Sequence, residues 1–293
     1  MARAGCAVGM CVVLAGCTAD GSGEPRESAS SKKKGASATA SPSPSPSPSE
    51  VVDISPARLP NTRAQAAVLI RDVLPGPADF GPGAVRRTPY ESDPRRWPVL
   101  GEDCVWEQRA LPKDVLATLT RSYEIPASGD RGPLRLSAVV TVHRTAEQAD
   151  WENAEVLEEM MRCPEQMLRS DEFITDLRSV PASFGESGNE FAEDSLTELG
   201  SYTSTAEGRG EVNPYIWEQT RIGQFTLAVS AKGAGGWSQA DLFDRLRDPH
   251  VGMRSRLRGA IERDPSEPSG DTKDSTKSDT KDDAEDDTRD GRR

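Results

Sequence analysis

The chain has 293 residues, of which 35% are hydrophobic and 29% are charged, and its net charge is −12. Between its polar ends lie about 210 residues, enough for one sizeable domain with its own core. The acidic excess excludes attraction to nucleic acid or to an anionic lipid surface, so no nucleic-acid partner is expected. Cationic and neutral partners stay open.

The N-terminal residues resemble a bacterial lipoprotein signal. One basic residue, Arg3, precedes an apolar stretch of about a dozen residues, which is too short to span a bilayer but typical of a signal-peptide core. Residues 14–17 read Leu-Ala-Gly-Cys, a lipobox pattern in which the thiol of Cys17 receives a diacylglyceryl group, so that acyl chains such as palmitate anchor the protein. The alternatives are an ordinary secretory signal and a chance cysteine. We expect a signal peptide at 1–16 and a lipid-anchored protein on the extracytoplasmic face of the cell membrane.

Two polar segments flank the predicted domain. Residues 17–56 comprise the lipidated cysteine and a Ser/Pro-rich spacer, which cannot bury enough apolar surface to fold. Residues 264–293 form an acidic tail with no periodic apolar residues, and disorder is predicted there too. The folded domain is therefore predicted at 57–263.

The first half of this domain predicts one helix and then strands. Asn61 or Thr62 can cap a helix that runs through Val73, where apolar residues recur at a spacing of three to four. Apolar and polar residues then alternate as in strands, at 104–107, 115–123 and 134–143.

A capping box at Thr145 opens a helix to about Arg162. Its predicted buried stripe is apolar: Trp151, Val156, Leu157, Met160 and Met161. Residues 164–212 predict short helical pieces around Gln166 and Phe173 and then a polar loop.

The last segments predict a hairpin and helices. Residues 215–221 and 224–231 form the hairpin, turning at Ile222 and Gly223. A second capping box at Ser238 opens one helix through Leu246, and another runs from about Pro249 to Ile261. The fold class is thus α+β: a single disulfide-pinned domain with an antiparallel sheet covered by helices, largely on one face.

The cysteines support this organisation. The chain has five, and removal of residues 1–16 leaves Cys17, Cys104 and Cys163. If Cys17 is acylated, one pair remains, and an exported protein meets oxidising conditions, which favour a Cys104–Cys163 disulfide. A zinc site and a catalytic thiol are the alternatives. With only two histidines in the chain, no metal and no cofactor is expected.

Enzyme signatures are missing from the sequence, so no catalytic residue is predicted. We interpret His143 and His250 as surface or capping residues, and adjacent carboxylates such as Glu158 and Glu159 as solvated, without raised pKa values. A serine or carboxylate within hydrogen-bond reach of either histidine would instead favour a hydrolase. The glycine run at 233–236 is interpreted as a loop, with anion binding as the alternative.

The tryptophans give the only candidate ligand-binding residues. Trp97 and Trp237 are predicted in loops, where aromatic side chains can border a binding cleft. The other three are assigned to the core: Trp106, Trp151 and Trp217.

The order of these features resembles a known family. Its elements are the lipobox, the polar spacer, the 62–73 helix followed by Ala-Asp-Phe-Gly at 78–81, Cys104 two residues before Trp106, the helix running into Cys163, and the Arg-Ile-Gly-Gln turn at 221–224. This arrangement is similar to actinobacterial cell-surface lipoproteins related to the extracellular sensor domains of receptor-type Ser/Thr kinases. The resemblance implies an α+β fold with a cleft between sheet and helices that binds an unknown extracellular ligand or envelope protein.

The expected function is therefore non-catalytic binding by a membrane-anchored, exported lipoprotein. Two alternatives stay open. One is a cell-envelope hydrolase with an unrecognised active site, and the other is a passive wall-associated structural lipoprotein, which the absence of a cleft would favour.

Overall fold

The computed structural model describes residues 52–180, 192–205, 210–264 and 266. The strands are β1 Val85–Glu91, β2 Arg96–Leu100, β3 Trp106–Ala110, β4 Val115–Ile125, β5 Leu134–His143, β6 Gln166–Arg169, β7 Glu172–Val180, β8 Asp194–Ser204, β9 Asn213–Ile222 and β10 Phe225–Lys232. The helices are α1 Arg63–Val73, α2 Ala146–Arg162 and α3 Gln239–Ile261. The predicted α+β class is confirmed. The predicted signal peptide, Cys17, and most of the spacer and tail lie outside the described residues.

Eight strands form one curled antiparallel sheet, in the order β1-β4-β5-β10-β9-β8-β7-β6. The other two, β2 and β3, form a separate hairpin. The predicted hairpin of β9 and β10 is confirmed: Ile222 pairs with Phe225, and Gly223 turns the chain with φ 54°. That left-handed conformation favours glycine, because a Cβ is strained there.

The main core lies between the sheet and the pair α1 and α3. Alternate residues of β10 point into it, and all are fully buried: Phe225, Leu227, Val229 and Ala231. The residues between them, including Thr226 and Ala228, face α2 on the opposite side, where Thr226 donates to Glu152 of α2. The helices therefore cover both faces of the sheet rather than chiefly one.

The helix starts follow the predicted caps. The Thr62 hydroxyl accepts from the Gln65 amide, and the Ser238 hydroxyl accepts from the Asp241 amide, so otherwise unpaired N–H groups are satisfied. The predicted break at Pro249 is wrong, because α3 continues through it as one helix. Packing of Leu246 and neighbouring apolar residues into the core compensates for the hydrogen bond that proline lacks. None of the described helices is long and apolar enough to cross a membrane.

Over the described part of residues 164–212 the prediction is wrong: three strands, β6, β7 and β8, take the place of the helical pieces and of part of the loop. Residues 181–191 and 206–209 of the predicted loop lie outside the described residues. Gly200 lies inside β8 rather than in a loop. A Cβ there would lie only 3.0 Å from the Thr175 carbonyl oxygen, so β7 and β8 approach closely at this point. The register of β7 also shifts here, between Thr175 and Arg178.

The predicted apolar stripe of α2 is also wrong in part. Trp151 is 63% exposed, and Leu157 and Met161 are exposed too. The helix instead buries Ala149 and Asn153, and the Asn153 side chain accepts from Gln219 of β9 at 2.7 Å. Because α2 covers a polar face of the sheet, its buried side is polar as well.

The Cys104–Cys163 disulfide is confirmed, with Cα atoms 5.5 Å apart. Cys104 lies in the turn between β2 and β3 with φ 61°, so the strand predicted from residue 104 begins at Trp106. Cys163 caps the C-terminus of α2. The Cys104 carbonyl also accepts from the Met167 amide of β6 at 2.9 Å. The disulfide thus ties the β2–β3 hairpin to the end of α2 and the start of β6.

Replacement of both Cys104 and Cys163 by serine is expected to lower the free energy of unfolding by about 4 kcal/mol, because the disulfide closes a long loop in the unfolded chain. Urea unfolding under non-reducing conditions measures this difference. Wild-type protein under reducing conditions is the control and should unfold like the variant. Equal stability of variant and oxidised wild type would contradict the prediction.

Candidate functional site

A cavity of about 300 Å³ lies between α2, the β2–β3 hairpin and the sheet. Six large side chains from the hairpin, α2 and β9 define it, and we call it the tryptophan–glutamate cavity: Trp97, Trp106, Trp217, Glu152, Glu155 and Glu159. A second depression of about 440 Å³ shares Trp97 and all three glutamates and extends to His143. Together they form one polar and aromatic site on the α2 side of the sheet.

The floor of the cavity consists of small side chains on three central strands. Thr118 of β4 and Thr141 of β5 share a hydrogen bond of 2.9 Å between their hydroxyls, and Ser137 of β5 and Ser230 of β10 share one of 2.7 Å. Ala228 of β10 completes the floor. These side chains are short, and most of their hydroxyl groups are hydrogen-bonded to one another. They therefore leave open space between the sheet and α2.

The hairpin forms one wall. The Trp106 indole N–H donates to the Gln166 side-chain oxygen at 2.8 Å, which fixes β3 against β6. Arg162, at the end of α2, donates to the carbonyl of Gly101 in the hairpin turn at 3.0 Å. These contacts and the disulfide at Cys163 hold the wall at both ends of the turn.

The three glutamates are spaced by three and four residues, so they lie on one face of α2. Burial, followed by the neighbouring Glu152 carboxylate, raises the pKa of Glu155. Burial and the Glu155 carboxylate raise the pKa of Glu159 to about 7, against a smaller opposing effect of Arg162. The expectation that Glu159 is solvated with an ordinary pKa is therefore wrong, because its side chain is half-buried in the cavity.

A fourth carboxylate lies next to this group. Glu198 of β8 pairs across the strands with Trp217, and burial together with Glu159 raises the pKa of Glu198 to about 8. Within the described part of the chain, the Glu198 Oε1 and Trp217 Nε1 atoms are buried without a hydrogen-bond partner. Unpaired buried polar atoms are costly, so this end of the cavity has unused hydrogen-bonding capacity.

His143 has a carboxylate within hydrogen-bond reach, which is the criterion for a hydrolase. The hydroxyl, imidazole and carboxylate groups around it are not in the order of a catalytic relay, however. The His143 Nε2 atom lies 2.5 Å from Glu152 Oε2, and Glu152 also accepts from the Thr226 hydroxyl at 2.7 Å. A nucleophilic relay needs the imidazole between hydroxyl and carboxylate, whereas here the carboxylate lies in the middle. No described hydroxyl or thiol is hydrogen-bonded to the buried Nδ1 atom of His143.

Both histidines are buried, so their assignment as surface or capping residues is wrong. His143 is only 3% exposed because the Trp97 hairpin and α2 cover it. His250 lies on the inner side of α3, 3.2 Å from the Thr220 hydroxyl. Burial lowers the pKa of His250 despite the nearby Glu218 carboxylate.

The structure separates the two candidate tryptophans. Trp97 lies in β2 and lines the cavity, whereas Trp237 is buried in the main core and donates to the Gly132 carbonyl at 2.8 Å. The interpretation of Trp237 as a cleft residue beside Trp97 is therefore wrong. Trp106 and Trp217, assigned to the core from the sequence, are half-buried cavity residues. Ligand binding by Trp97 stays a prediction.

The glycine run at 233–236 is a connection held by backbone contacts. The Gly233 amide donates to the Pro214 carbonyl, and the Gly235 carbonyl accepts from the Gly132 amide, both at 2.8 Å. The Gly233 N–H is therefore already used within the chain. Among the described residues, no group of three or more His, Cys, Asp or Glu side chains is arranged to hold a metal ion.

In comparisons with known proteins, neither a family model nor a curated protein matches this chain. The resemblance to kinase sensor domains therefore stays a prediction.

Replacement of Glu198 by glutamine is expected to raise the free energy of unfolding at pH 8 by about 2 kcal/mol or more, with little effect at pH 5. The folded pKa of about 8 lies above that of the unfolded chain, so stability is lost as pH rises from about 4.5 through 8 in the wild type. Urea unfolding across this pH range measures the difference. Glu158→Gln, at an exposed position of α2, is the control. A pH-independent effect of Glu198→Gln would contradict the assignment.

Proposed function

We propose that this chain is an exported lipoprotein, anchored to the membrane through Cys17, whose domain binds a small ligand or a side chain of an envelope partner without catalysis. The observation that carries the proposal is the tryptophan–glutamate cavity. Its volume of about 300 Å³ is in the range of small-molecule sites, and its aromatic walls offer large contact area.

Unused polar atoms beside the cavity support binding. The Trp217 Nε1 and His143 Nδ1 atoms are buried and have no partner among the described residues. Because both atoms are inaccessible to solvent, a ligand with matching polar groups would pair with them only after a local rearrangement, and the stability lost in leaving them unpaired would then be recovered on binding. The passive structural alternative gives no reason for such a cavity.

The hydrolase alternative rests on the contact of His143 with Glu152. It rests also on His250, whose imidazole lies between the Thr220 hydroxyl and the Glu218 carboxylate. His250 and Thr220 are buried and line neither the cavity nor the adjoining depression, so a substrate in this site would not reach them. Two features favour binding instead: Glu152 lies between the imidazole and the Thr226 hydroxyl, and His143 Nδ1 has no nucleophile beside it in the described chain. An imidazole in this position orients a carboxylate more readily than it activates a hydroxyl.

Filling the cavity tests the proposal. The neutral fluorescent probe N-phenyl-1-naphthylamine is expected to bind the intact chain with an increase in emission, and Ala228→Leu is expected to weaken this binding at least tenfold. The added side chain would occupy the floor of the cavity. Fluorescence titration measures the dissociation constants.

The matched control is Ala64→Leu, at an exposed position of α1 on the other side of the sheet. It adds the same atoms and should leave probe binding unchanged. Thr120→Leu is a second cavity variant, which keeps the test valid if Ala228→Leu does not fold. Equal binding by the wild type and two folded cavity variants would contradict the proposal.

The anchor is tested by Cys17→Ala, which removes the thiol that carries the lipid. We expect the wild type to incorporate labelled fatty acid and to fractionate with membranes, and the variant to do neither. Cys104→Ser is the control, since it removes a cysteine from the disulfide and not from the lipobox. A variant that stays membrane-bound would contradict the lipoprotein assignment.

A further inference from the structure

We infer that the tryptophan–glutamate cavity takes an organic cation, a quaternary ammonium or protonated amine group held between indole walls and carboxylates. This inference rests on the proposed function and names the ligand class for the same site. Three observations carry it: the aromatic walls, the uncompensated carboxylates, and the unpartnered buried groups at the cavity's ends.

The aromatic walls come from three separate strands. Trp97 of β2, Trp106 of β3 and Trp217 of β9 line one space. Tryptophan is the side chain that attracts cations most strongly through its ring face, and the attraction is greater in a desolvated site. The same fold already uses this interaction elsewhere, where Arg131 lies 4.4 Å from the centre of the Trp237 ring.

Glu155, which is exposed, and Glu159, which is half-buried, lack the counterions that the buried carboxylate of Glu172 has. Glu172 of β7 is buried, and it accepts from Lys232 at 2.6 Å and from Arg135 at 2.8 Å. No described cation forms an ion pair with Glu155 or Glu159. A cation in the cavity would supply the charge that the chain does not provide.

The nearby arginines are engaged elsewhere. Arg162 donates to carbonyl oxygens of the hairpin turn, including that of Gly101 at 3.0 Å. Arg109, which lines the adjoining depression, pairs with Glu107 at 3.1 Å. Arg162 keeps its positive charge and lowers the pKa of Glu159, but the carboxyl groups outnumber it, so the field at the cavity is negative where they are ionised, which disfavours anions and attracts cations.

Buried groups without partners mark the two ends of the site. His143, almost fully buried, lines the adjoining depression with its Nδ1 atom unpartnered in the described chain. At the other end the Trp217 Nε1 atom is unpartnered as well. Both atoms are inaccessible to solvent, so a polar group of the same ligand, such as a hydroxyl or carbonyl beside the ammonium, would pair with them after a small movement of the side chains.

Proton linkage gives this inference a distinct signature. The carboxyl group of Glu159 has a pKa of about 7, and a bound cation would stabilise its ionised form. Binding therefore strengthens as pH rises from about 5.5 to 8 and releases protons near neutrality. The charged groups around Glu159 and Glu155 are Glu152, Glu158 and Arg162 of α2, Arg109 of β3, Asp114, His143 of β5 and Glu198 of β8.

A matched pair of probes tests the charge alone. Choline and its neutral isostere 3,3-dimethylbutan-1-ol have the same shape, and only choline is charged. Titration calorimetry of the intact chain at pH 8 is expected to give a dissociation constant at least tenfold lower for choline. The advantage should shrink several-fold at pH 5.5, and the choline enthalpy near pH 7 should depend on the buffer because protons are released.

The variant Glu155→Gln with Glu159→Gln is expected to weaken choline binding at least tenfold while leaving 3,3-dimethylbutan-1-ol unchanged. Glu147→Gln is the control, because Glu147 lies at an exposed position of the same helix and lines neither the cavity nor the adjoining depression. It changes the charge of α2 without changing the cavity.

The outcomes separate the two proposals. Equal binding of choline and its neutral isostere, or loss of binding to the same extent in Glu147→Gln, would overturn the cation inference. If choline fails to bind while N-phenyl-1-naphthylamine binds in an Ala228-dependent way, the cavity binds ligands but not cations. If neither choline nor the naphthylamine binds, the proposed function itself fails.

Discussion

The ion pairs of Glu172 with Lys232 and Arg135 hold the sheet in its curl, and the other features of the α2 side depend on that curl. Glu172 belongs to β7, whereas its partners lie on β10 and β5, three and four strands away in the sheet order. Burial raises the pKa of Glu172, but the two cations outweigh burial and lower it. Loss of either partner would leave a buried charge, which is strongly destabilising. The network therefore fixes the concave surface on which α2 and the hairpin rest.

The two faces of the sheet differ: one packs the apolar core, and the other carries the cavity. On one face, α1 and α3 bury a continuous apolar core, in which the alternate residues of β10 from Phe225 to Ala231 are fully covered. Because burial of this core supplies most of the stability, the opposite face can carry threonine, serine and carboxylate side chains. A sheet with one apolar face tolerates a polar cavity on the other without losing its register.

Local signals explain how much of this fold the sequence could predict. The caps at Thr62, Thr145 and Ser238 are short-range patterns, and the β9–β10 hairpin alternates clearly, so these were predictable. Strand β8 contains mostly serine, threonine, glutamate and glycine, and its strand form depends on pairing with β7 and β9, which no local pattern encodes. In α2, periodicity predicts a helix but cannot tell which side faces the sheet. In the structure Trp151, which was predicted to be buried, is exposed, and Asn153 is buried instead.

The cavity could not be predicted from the sequence, because its walls come from the hairpin, α2 and β9, which are far apart along the chain. The spacing of Glu152, Glu155 and Glu159 on one helix face was the available signal, but it is equally typical of a solvated helix. The burial of Glu159 carries a cost, because a raised pKa costs the ionised form about 1.4 kcal/mol for each pH unit. The disulfide lies four residues beyond Glu159, at Cys163, and joins the two elements that enclose these carboxylates. A covalent link at this point keeps α2 and the hairpin together on either side of the carboxylates.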